Sequence, residues 1–116
     1  MKAGKEARRR LAEARKLVDG DAARFGAELY AALIGFVADQ LGIEAPSLTA
    51  NRARDGLAAR GVPAEQLDAL LDSLKRCDGL RYGGFSPPRA EREALLQKAG
   101  NFIDRVHRVL QKGGAK

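Results

Sequence analysis

Leu29 to Ala38 is the longest uncharged apolar run in the sequence, closed by Glu28 and Asp39. Ten residues is about half of what a bilayer crossing needs, so the run reads as part of a buried helix. Phe25, Leu29, Leu33, Phe36 and Leu41 recur along one face at helical spacing. Tyr30, Ile34 and Val37 widen that face far beyond a narrow stripe. A helix apolar over so much of its circumference must be covered on more than one side. The remaining segments read as that cover, which makes the chain all-α, a compact bundle of about five helices with short loops.

Residues 5–18 predict a helix with a thin apolar stripe (Ala7, Leu11, Ala14, Leu17 and Val18) whose N-terminal turns fray or project. Gly20 suits its end, and Asp21 is the N-cap of a central helix from Ala22 to Leu41. Gly42 is placed as its left-handed C-terminal residue, with Ile43 folding back against it. Thr49 (or Ser47) caps a short helix, Ala50 to Arg60, whose few apolar residues are Ala53, Leu57 and Ala58, with Gly61 at its end. Pro63 is expected in the first turn of the next helix, where its missing N–H costs nothing. That helix carries the stripe Leu67, Leu70, Leu71 and Leu74 and is expected to stop at Gly79. Residues 80–88 read as the one real loop, with short extended pairing near 80–86 and with Tyr82 and Phe85 pinning it down. Ser86 caps a last helix with Pro87 or Pro88 in its first turn, apolar from Leu95 to Leu110, and residues 112–116 form a frayed tail.

The net charge is +6, but it is unevenly placed. Residues 1–18 hold seven basic side chains (Lys2, Lys5, Arg8, Arg9, Arg10, Arg15 and Lys16) against Glu6 and Glu13, a net of +5. The other residues carry 14 basic and 13 acidic side chains, so the body is close to neutral. The division this suggests is a basic arm at 1–18, a helical domain at 19–112 and a flexible tail at 113–116. An arm of that kind should be removable without loss of stability.

No residue pattern points to catalysis. A single cysteine, Cys77, permits neither an internal disulfide nor a cysteine-built zinc site. Its place near a helix C-terminus also denies it the dipole that activates thiols. The single histidine, His107, lies between basic neighbours and reads as exposed or at the core boundary. Asp68 and Asp72 share a helix face that is most simply solvated, and Gly83-Gly84 lacks the lysine and strand of a phosphate loop. The expectation is a non-enzyme with no cofactor and no metal. A helix-turn-helix over Leu48 to Arg76 is disfavoured, because its second helix presents Glu65, Asp68 and Asp72 where phosphates would lie.

The helix Tyr30-x-x-Leu33-x-x-Phe36-Val37-Ala38-Asp39-x-Leu41-Gly42 is followed by Leu48-Thr49, Gly61-Val62, Leu70-Leu71, Cys77-Asp78 and Arg81-Tyr82. This order resembles the C-terminal region of BatD proteins, aerotolerance-associated bacterial membrane proteins, over about residues 14–107. The resemblance implies a cytoplasmic tail that follows the transmembrane helix of a single-pass protein, on the cytoplasmic side of the inner membrane. It implies partners too: a MoxR-type AAA+ ATPase and von Willebrand factor A-domain membrane proteins. A basic flank fits the positive-inside rule and suits an anionic membrane surface.

The expected function is therefore protein interaction, with Tyr82 and Phe85 as candidate contacts and no nucleic acid expected. The alternative is a small basic nucleic-acid-binding module. Basic charge confined to an arm favours the membrane; a basic stripe across the folded body favours nucleic acid.

Overall fold

A bundle of five α-helices is built around the apolar helix in the computed structural model, which describes residues 2–83 and 87–114. The helices are α1 (Lys2–Lys16), α2 (Ala22–Leu41), α3 (Ala50–Ala59), α4 (Ala64–Tyr82) and α5 (Arg89–Gly114), with a 3₁₀ turn at Ala45–Ser47. No strand occurs among the described residues. The bundle measures 43 × 24 × 24 Å.

α2 is the axis. Phe25, Leu29, Ala32, Leu33 and Val37 are wholly buried, and Ile34, Phe36 and Ala38 nearly so. Its two largest neighbours are α1 on one side and α4 on the other; α5 bridges them, and α3 closes one end against α4. Phe36 meets Phe102 of α5 edge to face, with ring centroids 6.4 Å apart. Gly26 lets α4 come close: a Cβ there would stand 2.7 Å from Leu80 Cβ and 2.9 Å from the Cys77 carbonyl oxygen.

Local signals set the ends. The Asp21 carboxylate accepts from the Ala23 N–H at 3.1 Å, and the Thr49 hydroxyl accepts from the Arg52 N–H at 3.1 Å. Gly42 and Gly61 terminate α2 and α3 in the left-handed region, at φ +69° and +89°. The Ile43 N–H donates to the Ala38 carbonyl at 3.0 Å, and its side chain rests on the core as expected.

Other expectations need correction. α1 does not project: Ala7, Ala14 and Val18 lie in the core, and Leu11 and Leu17 pack against it. Pro63 precedes α4, its carbonyl accepting from the Gln66 N–H, and Pro88 plays the same part for α5 with the Glu91 N–H. α4 runs through Gly79 to Tyr82, so Leu80, Arg81 and Tyr82 are helical rather than extended; Leu80 seals α4 against α2. α5 continues to Gly114, so residues 112–114 belong to a helix and not to a tail. Gly84, Phe85, Ser86 and residues 115–116 lie outside the described residues, as does the side chain of Lys2.

One tie was not anticipated. Arg92 of α5 is 7% exposed and sits on the core side of the helix. Its Nη1 donates to the carbonyls of Gly20 (2.8 Å) and Val18 (3.2 Å), and its Nε donates to that of Pro87 (3.1 Å). One guanidinium thus fastens the α1–α2 turn to the entry of α5. Charged hydrogen bonds of this kind contribute about 1.5–3 kcal/mol each, against the cost of burying the ion.

Phe36→Ala should cost about 3–5 kcal/mol, read as a lowered denaturant midpoint. A total stability of about 5–15 kcal/mol leaves that variant near unfolding. Deleting residues 1–16 should also lower the thermal midpoint by many degrees, because it uncovers one side of α2. An unshifted midpoint would mean that α1 is dispensable to the core.

Candidate interaction surfaces

α1 has two faces with different chemistry. Small residues, Ala7 and Ala14, face inward, while Lys5, Arg8, Arg9, Arg15 and Lys16 are exposed. Arg9 pairs with Glu6, Lys16 with Glu13 at 3.1 Å, and Arg8 reaches Asp104 of α5 at 2.8 Å. Exposed pairs of this sort contribute about 0–1 kcal/mol, so they neutralise charge more than they build the fold. Arg10 is turned the other way, into an open cleft with Glu6, Asp39 and Gly35.

α5 lies antiparallel to α1. Gly100 faces Leu11, Asp104 meets Arg8, and Gln97 shares a groove with Arg15. Elsewhere on α5, Glu91, Glu93, Asn101, Arg105 and Arg108 are exposed, and Lys98 shares a groove with Arg76 of α4. α5 thus exposes charge of both signs beside the basic face of α1. The acidic side chains Glu65, Asp68 and Asp72 stand on α4, which does not pack on α1.

A second feature lies at the end of α4. Arg81 is sandwiched between two rings, its guanidinium carbon 4.5 Å from the Tyr30 centroid and 4.7 Å from that of Tyr82. It also pairs with Asp78 at 3.2 Å and donates to the Tyr82 hydroxyl. Burial raises the Tyr30 phenol, Asp78 raises it further, and Arg81 opposes both. Tyr82 is 74% exposed, the one exposed large hydrophobic side chain among the described residues. It does not pin the loop to the core. Phe85, its expected companion, lies outside the described residues.

The chemical candidates are quiet. Cys77 is fully buried in the α2–α4 seam. Burial pushes its thiol up from 9.0 to about 12, Asp78 adding to the rise and Arg81 opposing it. His107 is half-buried at the core boundary, its ring 6.4 Å from that of Phe36. Its Nδ1 is buried with no hydrogen-bond partner among the described residues. No cluster of three metal-ligating side chains occurs among the described residues, and none of their helices is long and apolar enough to cross a membrane.

Comparison with family models, curated proteins and solved structures finds no match to this chain.

The raised Cys77 thiol has a consequence for stability against pH. Its folded-state pKa lies above the unfolded one, so the unfolded chain loses the proton first. The stability it contributes is full below about pH 9 and is lost progressively as pH climbs toward 12. Denaturant titrations at about pH 8 and pH 10.5 should therefore show a larger loss in wild type than in Cys77→Ala. Equal losses would assign alkaline destabilisation to other groups.

Proposed function

We propose that this chain is a non-enzymatic protein-interaction domain. In the reading its motif residues favour, it is the cytoplasmic domain of a BatD-like bacterial membrane protein, acting in aerotolerance, stress or envelope function. A MoxR-type AAA+ ATPase and von Willebrand factor A-domain membrane proteins are its proposed partners. The residues behind that reading are largely packing and capping groups: Leu33, Phe36 and Val37 in α2, Thr49 before α3, Leu70 in α4. They speak for family and fold more than for any site.

The observation that carries the interaction reading is Tyr82. A tyrosine left 74% exposed and braced by Arg81 presents a large, rigid, amphipathic surface. Tyrosine and arginine are residue types enriched at binding hot spots, and tyrosine offers much contact area at little entropic cost. Arg81 is itself held between Tyr30 and Asp78, so the platform is set before any partner arrives.

Tyr82→Ala should leave the thermal midpoint within about 1 °C, since a surface change away from the core costs under about 0.5 kcal/mol. It should weaken capture of the ATPase or A-domain partner by tenfold or more, the loss typical of a hot-spot truncation. Equal capture by both proteins would remove this platform as the site, and a large drop in midpoint would make Tyr82 a structural residue.

A further inference from the structure

We infer that two copies of this chain associate by packing α2 antiparallel against α2 of the second copy, about a two-fold axis at Ala31. The inference goes beyond the interaction reading and needs no other protein. It starts from the one face of α2 that the bundle leaves open. Between Phe25 and Ala38 every residue is buried except Ala27, Glu28, Tyr30, Ala31 and Gly35. The Tyr30 ring lies under the Arg81 guanidinium. That leaves Ala27, Ala31 and Gly35, which share a face at four-residue steps, with Glu28 at its edge. Toward Gly42 the same face runs into the cleft of about 940 Å³ between α1 and the 3₁₀ turn. A helix face that stays in water normally carries polar or charged side chains. This one carries alanine and glycine, which let a second helix approach to about 8 Å.

The ends of α2 say which helix comes. Arg24 stands in its first turn and Asp39 in its last, both exposed and neither in an ion pair with a described residue. Each has the wrong sign for its own helix, since the N-terminal end disfavours a cation and the C-terminal end an anion. No acidic residue in the first turn and no basic one in the last offsets this. An antiparallel neighbour reverses both relations. Arg24 then lies beside the C-terminal end of the second α2, and Asp39 beside its N-terminal end. Arg24 is seven residues before Ala31 and Asp39 eight after it, about 10 and 12 Å along the axis. A two-fold at Ala31 therefore sets Arg24 of each copy against Asp39 of the other. Within one chain the two are about 22 Å apart and cannot meet.

Glu28 and Arg10 repeat the match nearer the axis. Glu28 is three residues before Ala31. Arg10 lies over Gly35, four residues after, its Nε 3.9 Å from where a Gly35 Cβ would stand. Both are half-buried, and neither makes an ion pair with a described residue. The axis that joins Arg24 to Asp39 also brings Glu28 to Arg10 of the second copy. Parallel packing would set each charge against itself. Of the other charges in the cleft, Glu6 is engaged by Arg9, and Glu44 lies past the end of α2. The four matched charges sum to zero, so the face has no attraction for a polyanion. A patch that complements itself in this way makes an isologous dimer. One helix pair is a small contact, so the dimer is weak and forms at high concentration.

Sedimentation equilibrium of the whole chain from about 5 µM to about 0.5 mM reads the association directly. Wild type should pass from one chain to two across that range. Arg24→Asp and Asp39→Arg, each alone, should weaken dimerisation about tenfold or more, because each sets like charges together twice. The double variant Arg24→Asp/Asp39→Arg should restore it to within about threefold. Neither single change should lower the thermal midpoint of the dilute protein, since each suits the dipole of its own helix end. Lys75→Asp on α4 should associate as wild type does. A wild type still monomeric at about 0.5 mM, a double variant no tighter than the singles, or an equal loss in Lys75→Asp overturns the dimer. The assay contains no other protein, so its failure is distinct from failure of the Tyr82 platform.

Discussion

The constraint on which the architecture depends is the circumference of α2. A helix with Phe25, Leu29, Leu33, Phe36 and Val37 exposed by 1% or less, and Ile34 and Ala38 close behind, cannot be covered by one neighbour. α1 and α4 take opposite sides, and α5 closes the gap between them. Each cover helix needs a different device to approach. α1 does it with alanines, α4 through the missing side chain of Gly26, and α5 through the edge-on contact of Phe102 with Phe36. Burial of one large apolar side chain contributes about 1.5–3 kcal/mol, so the close approach of all three helices matters more than any surface ion pair.

Much of this was legible because the signals are local. Asp21 and Thr49 cap the helices they precede, and Gly42 and Gly61 end the ones they follow; each acts within four residues. The apolar stripes of α2, α4 and α5 were equally plain, since periodicity needs no knowledge of the partner. Misreadings arose where a local habit met a tertiary demand. Gly79 looked like a stop, but α4 continues because Leu80 is needed against α2. Pro63 and Pro88 looked like first-turn residues, yet each stands before its helix and lends a carbonyl to it.

Arg92 marks the limit of pattern reading most clearly. Extending the stripe of Leu95, Leu96 and Ala99 back by one turn lands on it, so its inward position was present in the sequence. An arginine there breaks the apolar rule, and only the structure shows why: the α1–α2 turn exposes the carbonyls of Val18 and Gly20 at that point. A buried cation is tolerable when a chain reversal leaves backbone acceptors to receive it. The candidate surfaces were legible in kind but not in extent. The seven basic residues at the start were visible as a count; that Arg8 meets Asp104 depends on a helix pairing that spans most of the chain.

The same pairing changes what α1 is for. As an arm it would carry charge and nothing else, and deletion would separate that role from folding. As a bundle helix it divides its labour by face, with Ala7 and Ala14 against the core and lysines and arginines in solvent. Alanine at the buried positions keeps the axis of α1 close to its neighbours, while the long basic side chains reach away from them. Stability and surface charge are therefore assigned to different residues of one helix. Loss of charge at Lys5 or Arg15 touches no buried contact, and loss of volume at Ala14 removes no charge. Any function of the basic face can be separated from folding by substitution, but not by truncation.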